Sequence, residues 1–355
     1  MKRRLITVLS SLCVALVLVL LPFGPDSAQG AAEKKTWKLK YQSMTTRGSK
    51  DSAWAIDSKF AQLVSEKTKG RVKIDLYGTP ELVNWGEMAR ACEEGTLPLF
   101  ELQDGPLSTD FPGLEWNTTT LRLDWPKGIF DFWEKSGVKK VVARELAKRN
   151  LMIVSFFEWG DGQCIVARKA HVKTLDDLKG IKLRIPPGTW VPIFQALGAT
   201  PAPMPSSELY SALERGVVDG CVTGMDVGLM GWKLYEVAKY LTFAGGKFPP
   251  GGSRFIIMNK SLFDSMPKDI QKAILDAGHE VIHPFGVDYI NTRTENILKD
   301  FGKITGIPPY IMPSAEIDRW IEASSAASVK YYRNRGGMAP EVISVWEKYT
   351  GKKAP

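Results

Sequence analysis

Apolar and polar positions alternate along Thr36-Trp37-Lys38-Leu39-Lys40-Tyr41, a period of two that predicts a half-buried strand. The polar turn Ser43 to Ser49 separates it from a stretch where Trp54, Ile56, Phe60, Leu63 and Val64 recur at near-helical spacing. Lys69-Gly70 closes that helix with a cation and a glycine. Alternation returns over Val72 to Tyr77 as a second strand; Glu87 to Glu94 reads as a helix stopped by Gly95, and Leu97 to Leu102 as a short buried strand. Strand, helix and strand in this repetition predict an α/β unit built on a mostly parallel sheet.

The same pattern restarts at Trp159-Gly160-Asp161-Gly162. Gln163 to Ala167 is an apolar strand, and Thr174-Leu175-Asp176-Asp177 opens one helical turn as a capping-box variant with aspartate in place of glutamate or glutamine. Ile181, Leu183 and Ile185 share one face of the next strand, Lys182 and Arg184 the other, and Pro186-Pro187-Gly188 ends it. A helix is expected over about Thr189 to Leu197 and another, capped by Ser206 or Ser207, through Glu214. Val217 to Val222 reads as a strand, as does Arg254 to Asn259. Helical spacing fills Lys268 to Gly286, Val287 to Phe301, Ala315 to Asn334 and Pro340 to Tyr349. No polar linker divides the two units, so they are expected to be lobes that exchange strands, with a cleft between them.

The 355 residues, 44% hydrophobic and 24% charged, suffice for such a core. Four cysteines and three histidines are too few for a disulfide framework or a multi-site metalloprotein. Lys2-Arg3-Arg4, the apolar Leu12 to Leu21, the breakers Pro22, Gly24 and Pro25, and the small residues from Ser27 to Ala32 read as a secretory signal peptide over residues 1–30. Its apolar run is about half of a membrane span. Lys2, Arg3, Arg4 and Asp26 sum to +2 of the formal +8, leaving +6 on the remainder. That excess suits an anionic ligand, and equally a soluble basic surface. Cys92, Cys164 and Cys221 remain; they read as buried thiols, with at most one bridge among them, such as Cys164 to Cys221.

Enzyme signatures are nearly absent: there is no phosphate loop, dinucleotide fingerprint, nucleophile elbow or zinc-ligand set. His279 and His283 stand four apart without a third ligand, so no metal and no cofactor are expected. Gly251-Gly252-Ser253 reads as a turn before a strand. Basic residues are scattered without interleaved aromatics, which argues against nucleic acid. Arg184 stands out, because it closes a strand of an α/β sheet and ligands of such sheets bind beyond the carboxyl ends of the strands. Its planar fork can grip a carboxylate through two parallel bonds. A solvated arginine, or one paired with Glu208 or Asp219, fits the spacing equally well.

At these residues the chain resembles the DctP-type extracytoplasmic solute-binding proteins of tripartite ATP-independent periplasmic (TRAP) transporters. The strongest block is Leu175-Asp176-Asp177-Leu178-Lys179-Gly180-Ile181-Lys182-Leu183-Arg184, followed by Ala196-Leu197-Gly198-Ala199-Thr200-Pro201, Met204-Pro205 and Glu208 to Gly220; weaker support comes from Phe60 to Val64, Lys69 to Val72 and Glu94-Gly95-Thr96. The resemblance implies a two-lobed α/β periplasmic solute-binding fold with a hinge and a long lobe-bridging helix. It divides the chain into a first lobe over 31–160 with about 250–286 returning to it, a second over 161–249, and bridging and C-terminal packing helices over 287–355. It implies a non-enzymatic, monomeric periplasmic binder that closes over a small organic anion and passes it to TRAP membrane subunits.

The resemblance gives Arg184 the ligand carboxylate. Gln163 stands where relatives often carry a second arginine, and Thr223 where they often carry asparagine. These neutral replacements disfavour a dicarboxylate or a sialic-acid-like ligand. First-lobe contacts correspond to the Ser43 to Ser49 turn with Thr45, the Asn84-Trp85 loop and Gln103. Trp85, Trp159 and Trp190 fall beside strand ends or cleft loops and would suit an apolar or aromatic tail on a 2-hydroxy or 2-oxo monocarboxylate. A small sulfonate is the chemical runner-up; an exported organic-acid enzyme using Glu208 or Asp219, and a sensory module, are the functional ones.

Overall fold

Four strands come first along the chain, β1 (Trp37–Gln42), β2 (Val72–Tyr77), β3 (Leu99–Gln103) and β4 (Leu151–Glu158). Then follow β5 (Gln163–Ala167), β6 (Lys182–Ile185), β7 (Thr200–Pro203), β8 (Gly220–Gly224) and β9 (Tyr240–Phe243), and finally β10 (Ser253–Asn259) and the short β11 (Tyr310–Ile311). This computed structural model describes residues 35–355 other than 122, 124–126, 159–162, 187, 205 and 250. The leader expected over residues 1–30 and Trp159 lie outside the described residues.

The strands form two sheets, ordered β2-β1-β3-β10-β4 and β11-β9-β5-β8-β6-β7. Each is mostly parallel, as expected, and each also carries one strand running against the rest. β10 pairs antiparallel with both β3 and β4, and β5 with both β8 and β9. The cause is topological. β4 ends at one edge of the first sheet and the chain crosses to begin β5 in the second; β9 ends in the second and the chain crosses back to begin β10. A strand entering from the facing edge must run away from it, whereas its neighbours run toward it. The carboxyl ends of β1, β2 and β3 therefore share an edge with both crossings, and so do those of β6, β7 and β8.

Local chemistry sets the element ends. The helix Ser52–Lys67 starts where the Asp51 side chain accepts from Trp54 N at 2.9 Å. It ends where Lys69 and Gly70 take left-handed φ of 54° and 75°, letting Gly70 N donate to Ser65 O. The Thr174–Asp177 capping box is present, with Asp177 Oδ2 accepting from Thr174 N at 2.9 Å. β8 begins three residues later than the apolar run Val217-Val218 suggested and extends through Thr223 and Gly224. Two helices between residues 127 and 147 were not anticipated, nor were the strands β4, β7, β9 and β11, which carry no clear alternation.

Apolar clusters cover both faces of each sheet. Tyr41, Ile56, Phe60, Ile256 and Ile274 cover one face of the first, and Phe100, Phe132, Trp133, Phe156 and Phe255 the other. Phe60 is fully buried, edge-on to Tyr41 at 5.9 Å, and such a ring contributes about 1.5–3 kcal/mol by leaving water. In the second sheet, Ile165, Leu183, Ile185, Phe194 and Trp320 face one way and Val166, Leu209, Cys221 and Phe301 the other.

Two helical segments run from one lobe to the other. Lys268–Glu280 packs Ile270 and Ile274 on the first lobe, and Val287–Thr305 delivers Ile297 and Phe301 to the second. Between them His283 leaves the helical region (φ −120°, ψ 116°), because the residue before a proline is pushed toward extended backbone and residue 284 is Pro. Ser314–Asn334 likewise places Ile317 and Trp320 in the second lobe's core and Val329 and Tyr332 in the first's.

Candidate functional site

The facing edges bring together the ends of β1, β3 and β10 on one side and of β5, β6 and β8 on the other, with both crossings between. This is where an open α/β sheet receives ligands.

Arg184 sits on β6, 3% exposed. Its Nε donates to Met204 O at 3.1 Å, Nη1 to Val222 O at 3.3 Å and Nη2 to Ser206 Oγ at 3.2 Å. Among the described residues it makes no ion pair. Of its two sequence-level carboxylate candidates, Asp219 accepts from Lys182 N at 2.9 Å and Glu208 lies exposed. Burial pulls the guanidinium below its ordinary pKa, yet arginine stays charged at any physiological pH. A buried cation facing only neutral oxygens, with two of its five N–H groups uncommitted, is the arrangement an anion completes. Ser206, one of the two serines expected to cap a helix, is one of the acceptors that hold this guanidinium.

Register separates the other second-lobe candidates. Arg184 aligns with Cys221, and Cys164 with Thr223, so Arg184 and Thr223 share a face. Thr223 presses on the π-helical turn Met225–Gly231: a Cβ at Gly228 would lie 1.8 Å from Thr223 Oγ1. Gln163 aligns with Gly224 and so projects to the opposite face, with Leu183 and Ile185. A molecule would meet Gln163 and Arg184 together only at the sheet's edge. The Gln163 Oε1, Thr189 Oγ1 and Trp190 Nε1 atoms are buried and find no hydrogen-bond partner among the described residues, and Trp190 packs on the second-lobe core. Each such atom costs about 1–3 kcal/mol unless something bonds it. Thr189 was not singled out from sequence; a hydroxyl between a strand end and a helix reads as a cap.

On the first-lobe side, Gln42 is fully buried at the end of β1 and ties down the following loop. Its Oε1 accepts from Leu82 N and Val83 N, and its Nε2 donates to Val83 O at 2.6 Å. That loop carries Asn84, exposed with its amide on Glu87, and Trp85, whose indole N–H donates to Met44 O at 3.0 Å. Thr45 is buried beside Ser43, with 3.3 Å between the two hydroxyls. Gln103 is half-buried at the end of β3, opposite Arg254. The next residue, Asp104, accepts from Ser253 N at 2.8 Å, and burial pushes its carboxyl up to about 8. The Ser253 hydroxyl is buried there with no partner among the described residues.

Beneath these loops lies a buried polar belt. Tyr41 OH donates to Asp57 Oδ1 at 2.5 Å, Arg254 Nε to Glu101 Oε1 at 2.5 Å, and Met44 N to Glu101 Oε2 at 3.2 Å. Burial, reinforced by Glu101, holds the Asp57 carboxyl well above the usual carboxylate range. Glu101 thus anchors the loop that carries Thr45. Elsewhere, Cys92, Cys164 and Cys221 are buried thiols, and Cys164 and Cys221 are not joined to each other. His279 and His283 lie ring to ring at 5.9 Å, and no group of three metal-ligating side chains occurs among the described residues.

The family model for the bacterial extracellular solute-binding proteins, family 7, known as DctP, matches residues 44–334. The chain belongs to this family. The 2,3-diketo-L-gulonate-binding periplasmic protein YiaO of Escherichia coli (strain K12) is 28% identical over 241 residues, 65% of this chain and 69% of YiaO. The C4-dicarboxylate-binding protein DctB of Bacillus subtilis (strain 168) is 26% identical over 271 residues, covering 75% and 74% of the two chains. A TRAP periplasmic solute-binding protein from Rhodoferax ferrireducens, solved with bound malonate, superposes with a TM-score of 0.78 at 20% identity, over 88% of this chain and 98% of that one. The DctP fold accounts for the two crossings and the bent bridging helix. Among the described residues no helix is long and apolar enough to cross a membrane.

Proposed function

We propose that this DctP-family chain captures a small organic acid anion in the periplasm and delivers it, chemically unchanged, to the membrane subunits of a TRAP transporter, acting as a monomer. The observation that carries the reading is Arg184, a buried guanidinium whose acceptors among the described residues are all neutral. The names of the relatives, which bind a sugar acid and C4-dicarboxylates, support the same ligand class. Closure follows if the ligand contacts both lobes and so binds the closed form better than the open one.

The ligand's charge is argued from the other buried cation. Of the two arginines buried among the described residues, Arg254 is committed to Glu101, which leaves Arg184 to neutralise one negative charge. Gln163 and Thr223 offer hydrogen bonds without charge, and Trp190 offers an aromatic wall with a spare N–H. A monocarboxylate with an apolar or aromatic body fits this set best; a small sulfonate is the runner-up. The division of roles gives Arg184 the anionic group, Gln163, Thr223 and Trp190 its neighbours, and Thr45, Asn84, Trp85 and Gln103 the contacts made on closure.

The test is a thermal-shift screen against monocarboxylates, dicarboxylates, sugar acids and sulfonates, followed by calorimetry on the hits, because a ligand selective for the folded state raises apparent stability. Aromatic or apolar monocarboxylate hits are expected. Selective dicarboxylate hits would overturn the ligand assignment, and turnover of a recovered ligand would overturn the binding role.

A further inference from the structure

Asp226 follows directly on β8, in the π-helical turn whose Met225 and Leu229 belong to the second lobe's core. Its side chain reaches beyond that lobe. Asp226 Oδ2 accepts from Ser52 N at 2.8 Å, at the first turn of the helix Ser52–Lys67, which packs on the first sheet. Asp226 Oδ1 accepts from Arg293 on the bridging helix Val287–Thr305, through Nη2 and through Nε at 3.2 Å. Asp226 is 1% exposed, while the Arg293 side chain is about one-third exposed. Val227, the next residue, packs on the first lobe's apolar cluster. One carboxylate therefore joins three bodies: the second lobe's turn, the first lobe's helix and the helix that spans them.

The helix N-terminus favours it, since the first amides are unpaired and the dipole attracts an anion. Asp51 caps the same terminus through Trp54 N, so two carboxylates crowd there, with Arg293 opposing both. The same turn rests on Thr223 through Gly228. Whatever fixes Asp226 thereby fixes the position of a residue on the ligand-facing edge.

We propose that Asp226 is a closure latch: the lobes' approach is stabilised by its capture between Ser52 N and Arg293, independently of any ligand. A two-state hinge is biased by any interaction present in one state alone, and this one is assigned to the approached lobes. Ligand affinity is then set partly by a contact that never touches the ligand. The inference rests on the binding-protein reading for its consequence, but its test does not use a ligand.

Spin labels at Lys73→Cys in the first lobe and Arg215→Cys in the second, both exposed positions, report the interlobe distance by pulsed dipolar spectroscopy; the native thiols are buried. In ligand-free protein, Asp226→Ala is expected to lower the ratio of short- to long-distance populations about tenfold, equivalent to ~1.4 kcal/mol. Asp226→Asn, which keeps an acceptor for Ser52 N, should fall between. Arg293→Gln tests the other side on a partly exposed helix face, and the double variant should add little to Asp226→Ala. Unchanged distance distributions in both Asp226→Ala and Arg293→Gln would overturn the latch, even if melting temperatures drop, because Asp226 would then be structural only. A working latch in a protein that binds no organic anion would instead overturn the proposed function.

Discussion

Arg184→Met separates the two roles a buried arginine can have. The substitution keeps an unbranched side chain but removes the charge and all five donors. In the ligand-free protein it relieves a buried cation that no carboxylate balances, a penalty of several kcal/mol after relaxation. Against this, Met204 O, Val222 O and Ser206 Oγ lose their donor, at about 1–3 kcal/mol for any that stays buried and unmade. The terms are of similar size and opposite sign, so the ligand-free melting temperature is expected to move by no more than a few degrees in either direction. Binding has no such compensation. Truncating one partner of a buried charge pair costs about 2–5 kcal/mol, a loss of roughly 30-fold to several thousand-fold in affinity. Calorimetry with the best hit from the ligand screen, alongside thermal melts without ligand, reads both quantities. Affinity within threefold of the native protein would refute the assignment of Arg184 to the anion. A collapse of ligand-free stability would show that the guanidinium is a fold element whose charge is already satisfied.

Two further substitutions test the surroundings of the site. Asp104→Asn keeps an acceptor for Ser253 N while removing a carboxyl whose folded pKa is raised by burial to about 8, above its unfolded value near 4. The folded state then holds the extra proton between about pH 4 and 8, so Asp104 erodes stability as pH rises through that window, by at most ~1.4 kcal/mol per pH unit. The variant should show a shallower decline of urea midpoint between pH 5 and 8; equal declines would refute the buried neutral acid. Gly228→Ala would place a Cβ 1.8 Å from Thr223 Oγ1, forcing the turn off β8 at about 1–3 kcal/mol. Adding Thr223→Ala should restore most of that loss in chemical denaturation, and an additive double variant would show that the two residues are not pressed together.

Much of the fold was legible because periodicity reports burial. β1, β2 and β6 alternate, and the buried β5 and β10 are apolar runs, so their positions follow from the pattern. β7 was not legible: Thr200–Pro203 contains two prolines and survives only as an edge strand. Which strands run against an otherwise parallel sheet was not legible: the direction of β5 and β10 depends on which sheet supplied the preceding strand, a non-local fact. In the site, Arg184 could be read from its place at a strand end. That Gln163 and Thr223 lie on opposite faces could not, because it depends on the β5–β8 register. Ser253 and Asp226 were missed for a related reason: the groups that bury or bind them, Asp104 and Ser52 with Arg293, are remote in sequence.

The insertion of β10 between β3 and β4 means that the order of synthesis differs from the order of assembly. While the chain emerges from its amino end, β3 and β4 are made early but cannot pair through their shared neighbour until Asn259 is out, after all of β5 to β9. Until then both present bare edges, the form of a sheet most prone to adopting strands from other molecules. Completion of the first sheet therefore waits on the second, a long-range closure that slows folding relative to a chain of local hairpins. The first half cannot be cut free as a contiguous module, because its sheet takes the interior strand β10 from beyond the second lobe, whereas the second sheet takes only its edge strand β11 from later in the chain.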